Sequence, residues 1–172
     1  PGETATFLAI KELVPDIYRL NKAALAKVAA PRYLKSHEPF RPDYRRVLYL
    51  CRDPRDVLVS YYHYSRRQRH IADDMPLGDF AAAFLDGDLP ESSAGSWADN
   101  VGSWLGARHS SKSFLLLRYE DLFAQPHLAL ARAAGFLDIP FTDDMIDAAV
   151  EAAAADKMRE LEAQRDAADR SG

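Results

Sequence analysis

Cysteine is nearly missing from this sequence: Cys51 stands alone among 172 residues. No disulfide can therefore close within the chain. A lone thiol in an apolar run reads as a buried structural group in a reducing compartment. Long apolar runs are missing as well. Nowhere do ~18 apolar residues follow one another, the length a membrane helix needs, and no signal peptide opens the chain. No membrane partner is expected, and the setting expected is cytoplasmic. Positive charge is not in excess either: 22 Lys and Arg face 26 Asp and Glu, a formal net charge of −4. That balance speaks against a nucleic-acid partner. The one basic cluster, Arg66, Arg67, Arg69 and His70, reads as the solvated C-terminal end of a helix. Metal-ligand spacing is absent, since His63 and His70 have neither carboxylates nor thiols at workable positions. Nor does an initiator methionine precede Pro1, so the chain is expected to be a piece of a longer protein.

What is present is enough for one sizeable core, and residues 1–172 are read as a single α/β domain. Apolar residues recur near the helical period from Phe7 to Val28, a stretch divided by Pro15 and closed by Pro31. A short strand is expected in "RYLKSHEPF", ending near Lys35 to His37. "RVLYLC" is a continuous apolar run of strand length, as in a strand covered on both faces of a parallel sheet. A helix start follows, with Asp53 as N-cap, Pro54 at the first helical position and Asp56 at the third. Helices are predicted at "LGDFAAAFL", stopped by Gly87 and Pro90, and after Ser96, with Asp99 completing its cap. "SFLLLRYEDL" is a second buried strand ending in a polar turn at Arg118 to Asp121. Further helices are predicted at "QPHLALARAAGFL" and from Thr142 through Gln164. Strand, helix, strand, helix in this order predicts an α/β fold with a parallel sheet.

In such a sheet ligands bind at the carboxyl ends of the strands. Three polar clusters fall there: Lys35-Ser36-His37, Arg52-Asp53 and Arg118-Tyr119-Glu120. Arg52, beside the positive start of a helix, and Ser60, on the same helix, suit a shared anion. They equally suit a surface helix in which Arg52 pairs with Asp53 or Asp56. Lys35 and His37, two apart on a strand, point to one face. His37 there could take a proton from a hydroxyl nucleophile beside a stabilising Lys35, or simply bond to backbone at a capped strand end. Tyr119 suits either stacking on a flat ligand or a wet rim position.

"YLKSHEPF", "RVLYLCRDPRDVLVSYYHY" and "FLLLRYEDL", in this order, closely resemble the cytosolic-type sulfotransferases, bacterial small-molecule members most closely, over about Pro31 to Leu161. The resemblance implies a P-loop-NTPase-like parallel sheet flanked by helices. It also implies transfer of a sulfuryl group from 3′-phosphoadenosine-5′-phosphosulfate (PAPS) to a hydroxyl or amine of a small-molecule acceptor. The product of the donor would be 3′,5′-adenosine bisphosphate (PAP), and no metal is implied. Carried over residue by residue, it makes Arg52 and Ser60 the grip on the 3′-phosphate and Tyr119 a contact for the adenine edge. It makes His37 the catalytic base, and Lys35 a contact for the transferring group. A homodimer is left open.

Two family stretches do not occur in these residues. The Pro-Lys-x-Gly-(Thr/Asn)-(Thr/Ser)-Trp phosphosulfate loop is expected upstream of Pro1, and the Arg-Lys-Gly-x-x-Gly clamp beyond Gly172. Ala154-Ala155 stands where many members carry Ser-Phe. The polypeptide alone is therefore expected to turn over poorly. Two other readings compete: a P-loop-like small-molecule kinase, which would need Mg²⁺ and ATP, and a non-catalytic nucleotide-binding or interaction domain, which would not bind PAP.

Overall fold

A computed structural model describes residues 13–20, 22–28, 30–89, 95–108, 111–154 and 157. In chain order these residues form a 3₁₀ turn at Ile17–Arg19, then α1 (Lys22–Lys27), β1 (Val47–Cys51) and α2 (Pro54–Arg67). They continue with α3 (Leu77–Asp86), α4 (Trp97–Arg108) and β2 (Phe114–Arg118). The last three elements are α5 (Tyr119–Ala124), α6 (Pro126–Phe136) and α7 (Asp143–Ala152). β1 and β2 pair in parallel from Val47 opposite Phe114 to Cys51 opposite Arg118. Parallel neighbours need a crossover connection, and α2, α3 and α4 supply it.

The starts of the helices follow local chemistry. Asp53 caps α2 by accepting the Arg55 N–H at 2.9 Å, with Pro54 at the first helical position and Asp56 in the first turn. Ser96 and Asp99 close a reciprocal cap at the start of α4. The Ser96 hydroxyl accepts the Asp99 N–H at 3.1 Å and donates to its carboxylate at 2.7 Å. Thr142 caps α7 through the Met145 N–H. Gly87 ends α3 in the left-handed region, at φ 78°.

Two buried clusters carry the packing. Phe80, Phe84 and Leu89 are buried with Val57, Leu58, Tyr61 and Tyr62 of α2 against them. Phe80 is wholly shielded from water, which alone contributes roughly 1.5–3 kcal/mol of transfer free energy. In the second, Trp104 of α4 stacks on Phe114 of β2 with ring centroids 6.1 Å apart, and Phe40, Tyr44 and Tyr49 complete the group.

Five expectations change. β1 is not covered on both faces, since none of its residues is fully buried and Leu50 is half exposed. The segment around Lys35 is not a strand but a single parallel bridge, in which Lys35 N–H donates to the Pro15 carbonyl and Ile17 N–H to the Lys35 carbonyl, both at 3.0 Å. The Ser36 hydroxyl then accepts the Glu38 N–H at 3.0 Å, a local turn that competes with a ladder. The polar turn expected at Arg118 to Asp121 is a helix from Tyr119, because Glu120 and Asp121 in its first turn suit a helix start. Cys51 is half-buried and not a core thiol. The helical stretch expected to end at Pro31 is, where described, the 3₁₀ turn and the short α1. Its first twelve residues, and most of the predicted continuation of α7 toward Gln164, lie outside the described residues.

Candidate functional site

Register places the strand-end clusters side by side. Cys51 pairs with Arg118, so the next residues of each strand, Arg52 and Tyr119, emerge together. The Arg52 guanidinium lies over the Tyr119 ring, 4.5 Å from its centroid. A second link crosses the same gap, from the Asp53 N–H to a Glu120 carboxylate oxygen at 2.8 Å. The junction is therefore held by backbone pairing, a charge-assisted hydrogen bond and a cation–π contact at once.

Carboxylates crowd this place, yet most have their own cation. Asp53 receives two side-chain hydrogen bonds from Arg55, at 3.0 and 2.6 Å. These bonds, with the Arg55 N–H, pull its pKa down to about 2. Glu120 is also held below the usual carboxylate range, first by the Asp53 N–H, with the Arg118 charge adding to it. Arg52 touches only Asp56 among these acids, at 3.4 Å, which is a loose pair. Its Nε is buried and has no hydrogen-bond partner. A buried guanidinium N–H without a partner beside a helix start is a donor still open to an acceptor. Ser60 lies on an exposed face of α2, one helical turn beyond Asp56.

The Lys35–His37 segment is organised by other neighbours. Lys35 Nζ pairs with Asp16 at 3.6 Å. His37 lies at the surface, but atoms packed around its ring strip water from it and lower the imidazole pKa. The Lys35 charge lowers it further, and the Asp16 carboxylate opposes both. The outcome is an imidazole that is neutral at neutral pH and free to accept a proton.

Helix α4 holds the backbone of this segment, a role for which the sequence carried no motif. Asn100 donates to the His37 carbonyl at 3.0 Å, Trp104 Nε1 to the Glu38 carbonyl at 3.0 Å, and the Phe40 N–H donates to Ser103 Oγ at 2.9 Å. Asn100 also accepts the Tyr49 hydroxyl at 2.8 Å. The only sequence signal is that positions 100, 103 and 104 share a helix face. Of the five residues singled out by sequence, the structure thus joins Arg52 to Tyr119, places Lys35 where its charge acts on His37, and leaves Ser60 exposed on α2 with no hydrogen bond to the first pair. Phe40 and Tyr62 are both engaged in packing, against Trp104 and Phe80 respectively. Among the described residues no group of His, Cys, Asp and Glu is arranged to hold a metal, and no helix is long and apolar enough to cross a membrane.

A strand-end arginine beside a helix start, in a parallel α/β frame, is an arrangement that suits the ligand end of a P-loop-like fold. Comparison with known proteins makes the assignment specific. The sulfotransferase domain model matches residues 6–171. Cytosolic sulfotransferase 10 of Arabidopsis thaliana is 30% identical over 162 residues, covering 90% of this chain and 46% of the relative. Sulfotransferase 1A1 of Rattus norvegicus is 30% identical over 143 residues, covering 79% of this chain and 48% of the relative. Among solved structures, retinol dehydratase in complex with androsterone and the inactive cofactor PAP superposes with a TM-score of 0.69 at 28% identity, covering 81% of this chain and 42% of that one. The chain belongs to the sulfotransferase domain family. It spans about half the length of these relatives.

Proposed function

We propose that the protein transfers a sulfuryl group from PAPS to a hydroxyl or amine of a small-molecule acceptor, with residues 1–172 as one domain of that enzyme. The observation that carries the reading is the Arg52 guanidinium, stacked on Tyr119 with a buried Nε that has no partner. In this reading Arg52 and Ser60 grip the 3′-phosphate of the donor, and the anion displaces the loose Asp56 contact. The exposed Tyr119 ring lies at the adenine edge. PAPS itself supplies the activated sulfuryl group.

On the acceptor side, His37 takes the proton from the attacking hydroxyl or amine as the new bond to sulfur forms and the bond from sulfur to the donor's phosphate oxygen breaks. Lys35 leaves Asp16 to meet the negative charge that develops. Burial and Lys35 keep the imidazole neutral, the form the step requires. Relatives support the chemistry. The retinol dehydratase structures hold PAP together with androsterone or retinol, and the match to a plant enzyme named cytosolic supports a cytoplasmic setting. A bacterial source rests on the motif resemblance alone.

Calorimetric titration of PAP, with Arg52→Ala alongside, tests this. The substitution is expected to weaken binding by more than about 1.5 kcal/mol, the lower range for a hydrogen bond to a charged group. Equal affinity of the two proteins would remove the phosphate from Arg52. Failure of the unaltered chain to bind, repeated in a version extended at both ends, would overturn the functional reading.

A further inference from the structure

We infer that Asn100 is a positioning residue for His37, its side-chain amide fixing the His37 backbone to the strand whose end carries Arg52. The inference rests on the sulfotransferase reading for its catalytic meaning and on geometry for its structural one.

Side chains on either side anchor the segment that bears His37, through Lys35 to Asp16 and Glu38 to Arg41, but its backbone has few partners. Its sheet contact stops at the single bridge through Lys35, and the Ser36 hydroxyl bends the chain immediately afterwards. Beyond that bend the His37 and Glu38 carbonyls and the Phe40 N–H bond to one face of α4. Of the three α4 side chains, Asn100 alone meets the histidine itself. Ser103 supports it by donating to the Asn100 carbonyl at 2.7 Å.

Trp104 reaches β1 only by ring packing on Tyr49, and Ser103 makes no hydrogen bond to it, whereas Asn100 reaches β1 by a hydrogen bond. Its partners dictate which way the amide points. The His37 carbonyl can only accept, so the nitrogen faces His37 and the oxygen faces the Tyr49 hydroxyl. Burial pushes the Tyr49 phenol up to about 12, so it stays protonated and able to donate at any pH at which the protein works. Tyr49 stands two residues before Cys51 and three before Arg52 on the same run of chain. One amide thereby ties the proposed base to the strand that carries the proposed phosphate grip. Proton transfer tolerates little error in such a distance, and a displacement of about 1 Å can cost on the order of 100-fold in rate.

The test is NMR of the His37 ring in this chain, together with steady-state kinetics in the version extended at both ends. The His37 ring cross-peak is identified by its loss in His37→Gln. In Asn100→Ala it is expected to broaden by exchange, and its titration midpoint to move up toward the ordinary histidine value. kcat should fall about tenfold or more while KM for PAPS changes little, the mark of an interaction used in the transition state. Tyr49→Phe leaves the amide on His37 and should change both readouts less. Should Asn100→Ala fail to fold, Asn100→Asp keeps the acceptor for Tyr49 and lacks the donor, and the broadening remains its readout. An unaltered His37 cross-peak in the Asn100 variant, or an equal change in Tyr49→Phe, would overturn the inference. Normal turnover by His37→Gln would fail the base assignment, and the catalytic consequence with it, while the cross-peak still reports whether Asn100 holds His37.

Discussion

Arg52 shows how a single side chain is kept both fixed and unfinished. The Tyr119 ring takes one face of its guanidinium, Asp56 holds one end loosely, and Nε meets nothing. Tyr119→Ala should therefore weaken PAP binding by about 0.5–2 kcal/mol, the range of a cation–π contact from exposed to desolvated, read by the same titration as Arg52→Ala. With His37 as the proposed base, its titration sets the pH response. Its imidazole is lowered from 6.5, so the acid limb of kcat/KM should lie below that value. Lys35→Met removes a cation and should raise the limb, whereas Asp16→Asn removes the opposing anion and should lower it further. A pH–rate series on the three proteins reads both signs. Stability follows the same linkage: the unfolded chain binds this proton more readily, so the contribution of His37 falls as pH drops through its lowered pKa.

At the scale of elements, the junctions are sharper than the strands and helices they join. Gly87 combines a left-handed backbone with a close approach, since a Cβ there would meet the Ser96 nitrogen at 2.7 Å. Gly87→Ala should lose more than about 1 kcal/mol, the lower cost of a left-handed backbone for an L-residue, in urea unfolding. Ser96→Ala should cost about 1 kcal/mol by losing the cap of α4. Both effects are local. Much of this level was legible in sequence, including the caps at Asp53, Ser96 and Thr142, the stop at Gly87, and the two apolar strand runs. The segment around Lys35 was not, because its composition allows a strand while the Ser36 hydroxyl turns it away from one. Tyr119 likewise reads as the end of a strand until Glu120 and Asp121 are seen to start a helix.

Across the whole molecule, stability rests on two aromatic clusters, one between α2 and α3 and one where α4 meets the β1–β2 pair. Phe80→Ala should cost about 3–5 kcal/mol through lost burial and the cavity left behind, measured by chemical denaturation. If the donor reading holds, PAP at a hundred times its Kd should stabilise the protein by about 2.7 kcal/mol, through mass action on the folded state. A thermal-shift series over PAP concentration, with Arg52→Ala as the control, checks that link between site and fold.

The amino-acid sequence by itself determined the α/β order, the helix starts and the residues at the strand ends. These depend on apolar periodicity and on capping groups a few positions apart, energies that neighbouring residues settle among themselves. The sequence motifs also carried the family. The tertiary structure decided which of those residues meet. Arg52 reaches Tyr119, and the Asp53 N–H reaches Glu120, because β1 and β2 pair in one parallel register across a long crossover. Asn100 reaches His37 and Tyr49 because α4 packs across both segments. Contacts between positions so far apart in the chain form only when the whole fold closes the intervening loops, and no local pattern encodes them.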